Sequence, residues 1–295
     1  MAHPAASGYN RGPEQEDPRC RLNNPEGEKA GPEKQGESAP EGVDLTPILE
    51  AWEYDESNTV RRMRAADGHE IIQVRLPLGI EQYEVSGRPD GKRPMDEESW
   101  LHHYSRKAEV RPVGSADRFL GDSDFQRLYH EGLLYYYRYL LFFQIQEYRH
   151  CARDTRRNLR LLDFVKRHAL PELSEQLEQY RPYILRMHVM SRALHRIKLS
   201  GDVRSALRLL RGGRKAIESL EPIEGNQVHE WEMARALTSL DDLISQLEAQ
   251  RPVSKLEKLQ RQMEAAIQEE NYEKAALIRD QLTRMKQKPK SYEMG

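Results

Sequence analysis

The stretch Ser123–Gln146, SDFQRLYHEGLLYYYRYLLFFQIQ, decides how the rest of the chain is read. Ser123 with Gln126 three residues on is a capping-box pattern, and Phe125, Leu128, Tyr129, Leu133, Tyr136, Leu140 and Phe143 then recur at spacings of three and four, the period of one helix face. From here to the C-terminus the pattern stays helical. A second helix runs from about Glu147 to about His168, where Pro171 interrupts. A third covers Glu172 to Lys198 and is expected to bend near Pro182, because proline removes a backbone donor and crowds the preceding turn. The fourth, Val203 to Leu220, carries a weakening Gly212-Gly213 pair, and the fifth runs from about Gln227 to Ala249.

Upstream the period changes from 3.6 to 2. Two Asp-Gly turn signals, Asp67-Gly68 and Asp90-Gly91, bracket an alternation that sets Ile72, Val74, Leu76 and Leu78 on one face and Gln73 and Arg75 on the other. With the short run Ile80 to Val85, this gives a three-stranded antiparallel meander over about Asn58 to Ser86. So small a sheet is marginal in water and must pack on the helices that follow. Residues 1–42, with six prolines and six glycines, have too little apolar surface to offset ordering entropy and read as a disordered tail. The expected fold class is mainly α: a small antiparallel β segment and linker over 43–121, a helical bundle or short TPR-like repeat over 122–251, and a helical hairpin over 252–288.

The 295 residues include 38% hydrophobic and 32% charged side chains, which suits a surface-rich chain, and no run approaches the roughly 18 apolar residues of a membrane span. With no signal-peptide pattern visible, the expectation is a cytoplasmic protein without membrane contact. Cys20 and Cys151 form no paired motif, and Cys151 reads as a buried thiol. His102 and His103 are adjacent rather than four apart, no HExxH occurs, and no metal or cofactor is expected. GxSxG, GxGxxG and P-loop patterns are absent too, so an enzyme is not expected.

The net charge of −2 hides a segmented distribution. Met1–Ser57 holds 13 acidic against 5 basic side chains, Arg138–Lys215 holds 18 basic against 7 acidic, and Ala216–Arg251 returns to 8 acidic against 2 basic. A cationic block therefore sits between two anionic ones, and clustered Lys and Arg attract anions over a Debye length of about 8 Å. Within the block Arg153, Arg156, Arg157 and Arg160 share a helix face, downstream of the aromatic YYYRYL at Tyr135. That combination can track a phosphate backbone, although Tyr136 belongs to the apolar stripe and arginines of this kind also pair internally.

Three helix junctions share one chemistry: a turn, then an aromatic or branched residue, then a small residue three positions later. They are QEYRHCA at Gln146, GDVRSAL at Gly201 and ENYEKAA at Glu270. The first two resemble degenerate tetratricopeptide units, yet Tyr148 and Val203 lie 55 apart rather than about 34. The third is more specific. After Pro252, a capping pair Ser254 and Glu257 opens a helix with Leu256, Leu259, Met263 and Ile267 in one stripe; Glu270-Asn271 turns the chain, and Ala275, Ile278, Leu282 and Met285 face back, with Tyr272 at the corner.

The segment LEKLQRQMEAAIQEENYEKAALIRDQL resembles the UVR motif, the helical hairpin of UvrB, UvrC, ClpC-type protease regulators and activators of bacterial protein arginine kinases. Leu259, Met263, Ala266, Tyr272, Glu273, Ala275, Ala276, Ile278, Arg279, Asp280 and Leu282 carry the likeness. In those families the hairpin docks on another protein, often on a second such hairpin. The resemblance therefore implies a bacterial interaction protein that presents Leu259, Met263, Tyr272, Ala275, Ala276, Arg279 and Asp280 to a partner, with self-association as one form of it; Leu277, off the main seam by its spacing, is a further outward-facing candidate contact. Nothing upstream carries over the ATP-driven or nuclease chemistry of the DNA repair relatives. The leading expectation is a non-enzymatic adaptor; the alternative is a nucleic-acid-binding accessory factor in DNA repair that uses the arginine face.

Overall fold

The computed structural model describes residues 44–112, 118–250 and 255–287, without the side chains at 250, 255–258 and 284–287. Of the unit Met1–Leu45 only Asp44 and Leu45 are described; every helix and strand described belongs to the unit Thr46–Gly295. The expected tail, Cys20, Pro252 and the capping residue Ser254 lie outside the described residues, as do the side chains of Leu256, Glu257 and Met285.

The protein is mainly helical, with a small antiparallel sheet ahead of a helical bundle and a C-terminal pair of helices. Strands β1 (Val60–Arg64), β2 (Glu70–Leu76) and β3 (Gly79–Glu84) form a meander in which Val60 pairs with Val74 and Ile72 with both Arg62 and Tyr83. Ile72 and Val74 share the inner face, as their alternation requires, with Val60, Tyr83 and Val85. Leu78 does not join them: it sits in the two-residue turn between β2 and β3 and is 92% exposed. Arg75, on the opposite face, is buried, because its guanidinium donates to the carbonyls of Trp52 (2.7 Å) and Gly79 (3.2 Å) under the short helix α1 (Thr46–Glu50) and the turn after it. Arg61 covers the Trp52 ring at 3.8 Å.

Helix α2 (Trp100–Glu109) lies in the stretch read from sequence as linker. Its ten residues offer too few turns for a periodic signal. Ser99 Oγ accepts from the His102 amide at 3.1 Å, and the buried Glu131 carboxylate, from α3, accepts from the Trp100 and Leu101 amides at 2.7 and 3.1 Å. A carboxylate at a helix N-terminus satisfies orphan donors and complements the macrodipole.

Helices α3 (Asp122–Gln144), α4 (Tyr148–His168), α5 (Pro171–Glu178), α6 (Arg181–Ser200), α7 (Val203–Glu218) and α8 (Gln227–Gln250) build the bundle. α3 begins at Gly121 with no side-chain cap, so Ser123 and Gln126 make no capping box. Its buried face is Phe125, Leu128, Glu131, Gly132, Tyr135, Arg138, Tyr139 and Phe142, turned from the Leu133, Tyr136, Leu140 and Phe143 stripe expected from spacing; Tyr136, Leu140 and Phe143 pack at its edge. Pro182 does not bend a helix. The chain breaks at Gln179-Tyr180, and Pro182 stands in the first turn of α6, where its missing N–H costs nothing.

Three apolar clusters hold the bundle. The sheet's inner face packs on Tyr139, Phe142, Cys151 and Met187; α2, α3 and α4 close over Tyr104, Phe125, Leu128, Leu161 and Val165; α6, α7 and α8 enclose Val189, Ala193, Ala206, Leu210, Leu240 and Ile244. Gly213 belongs to the last contact. A Cβ there would stand 2.4 Å from Val189 Cγ2, so the glycine that looks like a helix weakness is what lets α6 and α7 approach. Gly213→Ala is expected to lower stability by about 1–3 kcal/mol through overpacking. Val189→Ala in the same chain recovers part of the loss, and thermal melts of the two single variants and the double variant check the coupling.

Candidate functional site

Two places combine exposed surface with a reason to bind. The first is a cleft of about 640 Å³ between α4 and α6. Helical spacing builds it. Arg149, Arg153, Arg156 and Arg160 line one side of α4, and Arg192, His195, Arg196 and Leu199 line the facing side of α6. Arg138, Arg157 and Tyr135 lie at its inner end, with Gly87 from the loop after β3, and among the described residues Glu98 and Asp154 are its only carboxylates. Eight arginines converge on two acids.

The arginines are not equivalent. Arg138 is buried and grips Asp154 in a fork, Nε to Oδ2 at 2.7 Å and Nη2 to Oδ1 at 3.0 Å, while its Nη1 donates to the carbonyls of Glu84 (2.7 Å) and Gly87 (2.9 Å). Arg153 donates to Asp154 Oδ1 at 2.8 Å and to the Val85 carbonyl at 2.8 Å. Arg157 pairs with the buried Glu131 and lies over the Tyr135 ring at 4.1 Å; Glu131 also faces Arg88 at 3.4 Å. Of the four arginines singled out by sequence, then, Arg153 and Arg157 are committed to internal carboxylates. Arg156 and Arg160 are exposed and, with Arg149 and Arg192, make no ion pair to any carboxylate among the described residues. Arg192 and Arg196 were missed from sequence because the partnership of α4 with α6 is not local; Arg149, four residues before Arg153 on α4, was within reach of the helical spacing.

Behind the α4 wall, His188 is buried, its Nδ1 3.0 Å from Thr155 Oγ1 and 3.1 Å from the Ala152 carbonyl, so Nδ1 carries the proton. Burial first, then Arg192 and Arg156, push its pKa down to about 4. The neighbouring Cys151 is fully buried and its thiol is pushed up to about 12 by burial, against the hydrogen bond from Ser191. It is an inert core thiol rather than a nucleophile.

The second place is the hairpin of α9 (Lys255–Gln268) and α10 (Tyr272–Gln287). The turn is a Schellman motif: Glu270 takes φ 54°, its amide donates to the Ile267 carbonyl at 3.0 Å, and the Asn271 amide donates to the Ala266 carbonyl at 2.8 Å. The junction after α3 repeats it, with Gln146 at φ 59°, Gln146 donating to Phe143 and Glu147 to Phe142. After α6, Gly201 takes the same left-handed turn at φ 64°. The small residues of the three junctions, Cys151, Ala206 and Ala275, are all buried.

In the hairpin the seam is Ala266, Ala275, Ile278 and Leu282, with Leu259, Met263 and Ala276 half-buried beside it. Tyr272 does not wedge the corner: it is 67% exposed, as is Leu277, and Ile267 is 48% exposed. Arg279 and Asp280 are exposed neighbours 3.3 Å apart. α9 and α10 pack on each other, and among the described residues no other element packs extensively on either.

Residues 254–288 match the family model of the UvrB/uvrC motif, so the hairpin is a UVR motif. No curated protein and no solved structure matches the chain. No helix among the described residues is long and apolar enough to cross a membrane.

Two outcomes follow. His188 is neutral in the fold and titrates near 6.5 when unfolded, so between about pH 6.5 and 4 the unfolded chain binds more protons. Stability should fall as pH drops through that window, by up to roughly 3 kcal/mol, and His188→Gln should remove that part of the slope in urea melts near pH 7 and pH 4.5. Glu270→Gly should relieve the left-handed backbone by about 0.5–1 kcal/mol and slow hydrogen exchange of the α10 amides.

Proposed function

We propose that the chain is a non-enzymatic adaptor that captures a partner protein through its UVR hairpin, and that the partner presents a hairpin of the same kind. The observation that carries this reading is the pair of helices whose shared seam buries only Ala266, Ala275, Ile278 and Leu282 while Tyr272, Leu277 and Ile267 stand open to solvent. Helices of 14 and 16 residues are marginal alone, and a second two-helix unit laid against the outer side of α10 adds burial of about 1.5–3 kcal/mol for each large side chain covered. Leu277 is the anchor; Tyr272, five residues earlier, stands about 140° round the helix from it, at the corner. Arg279 and Asp280, exposed on the same helix, supply polar registration at the rim.

Ala275 is a poor probe because it is buried in the seam, where a large charge would open the hairpin itself. Leu277→Glu is the informative change. The full chain carrying it is expected to keep its helical circular dichroism and melting profile, yet to bind proteins bearing a UVR-type hairpin at least about tenfold more weakly in nuclease-treated extract. Equal recovery of those proteins by the variant and the unaltered chain would refute the hairpin as the docking surface.

A further inference from the structure

We propose that the cleft between α4 and α6 is a binding site for a compact anion carrying two or more phosphoryl groups, such as inorganic tripolyphosphate or a nucleoside triphosphate. The walls face each other. Arg149, Arg156 and Arg160 project from α4 and Arg192 from α6, all exposed and without a carboxylate partner among the described residues, and Arg196 joins them one turn beyond Arg192. Planar guanidinium groups arriving from two sides can fork onto separate phosphoryl oxygens, which a single exposed arginine stripe cannot do.

Positive charge here is in large excess. Asp154 serves Arg138 and Arg153, and Glu131 serves Arg157, Arg88 and the α2 amides, which leaves the exposed Glu98 as the one lining carboxylate among the described residues facing Arg149, Arg156, Arg160, Arg192 and Arg196. Those same bonds fix the inner end of the cleft, so the free arginines stand on a rigid floor.

Size and lining separate a small polyphosphate from a nucleic acid strand. About 640 Å³ falls in the range of small-molecule sites, roughly 300–1,000 Å³. Strand binding needs aromatic faces open to bases, and the nearby tyrosines do not offer them: Tyr135 is buried beneath Arg157, and Tyr139 is buried in the core. Leu199 and Leu209 at the lip leave an apolar edge on which a nucleoside could rest.

The test is calorimetric titration of the full chain at physiological salt with inorganic tripolyphosphate, with ATP, and with single-stranded DNA oligomers of increasing length. Saturable one-to-one binding of tripolyphosphate or ATP is expected, tighter for ATP if the lip holds the nucleoside and equal if only phosphate is read. Arg156→Gln with Arg192→Gln should weaken it about tenfold or more, while Arg208→Gln, outside the cleft, leaves it unchanged. All three are exposed positions, and Arg160→Gln with Arg196→Gln gives an independent second pair. Failure of both small anions to saturate, unchanged affinity in both double variants, or affinity that keeps rising with oligomer length would each overturn the proposal, the last in favour of a nucleic acid track. None of these readouts depends on the hairpin.

Discussion

The buried fork between Arg138 and Asp154 is the constraint on which the rest of the molecule depends. It joins α3 to α4, and through the carbonyls of Glu84 and Gly87 it fastens the end of the sheet to both. A three-stranded meander cannot hold itself together in water, so this tie and the apolar contact of Ile72 and Tyr83 with Tyr139 and Phe142 are what make the sheet part of the bundle. A buried pair is a weak source of net stability, yet either partner left alone would strand a charge in the core at a cost of about 3–5 kcal/mol. Its value lies in fixing register: only one rotation of α3 brings Arg138 to Asp154 and, two turns earlier, Glu131 to Arg157 and the α2 amides.

That rotation sorts the cationic block into two populations. Arginines facing the α3–α4 contact are consumed by Asp154 and Glu131, and those facing α6 are left to solvent. One stripe of sequence thus does two jobs, and the internal ion pairs engage Asp154 and Glu131, leaving Glu98 as the lining acid against the solvent-facing arginines. The hairpin stands on different physics. Its turn is a backbone device shared with the α3–α4 junction, and its seam is small, so its outer side chains are the part that a second surface would stabilise.

Much of the architecture was legible in local patterns. The Asp-Gly turns and the period-2 alternation located the meander, and apolar spacing located the long helices. The three junctions share a left-handed turn and a buried small residue, as their common pattern implied. Misreadings came where local and tertiary demands part company. Leu78 continues an alternation that the turn has already ended, and Pro182 starts a helix because the break falls two residues before it. Tyr272 has a corner position, but among the described residues no third element packs extensively on the hairpin for it to wedge against.

The sequence by itself determined the order and kind of the elements, the cationic middle and the UVR motif at the end, because hydrophobic period, turn chemistry and charge are properties of neighbours in the chain. Only the tertiary structure decided the phase of α3. From Leu133 to Phe143 every side chain except Arg138 is aromatic or aliphatic, so periodicity cannot choose a face. The choice falls to Glu131 and Arg138, polar residues that sequence logic would turn outward and that ion pairing turns inward. The pairing of the α4 arginines with Arg192 and Arg196 is likewise tertiary, since a cleft between helices exists only once the helices have packed.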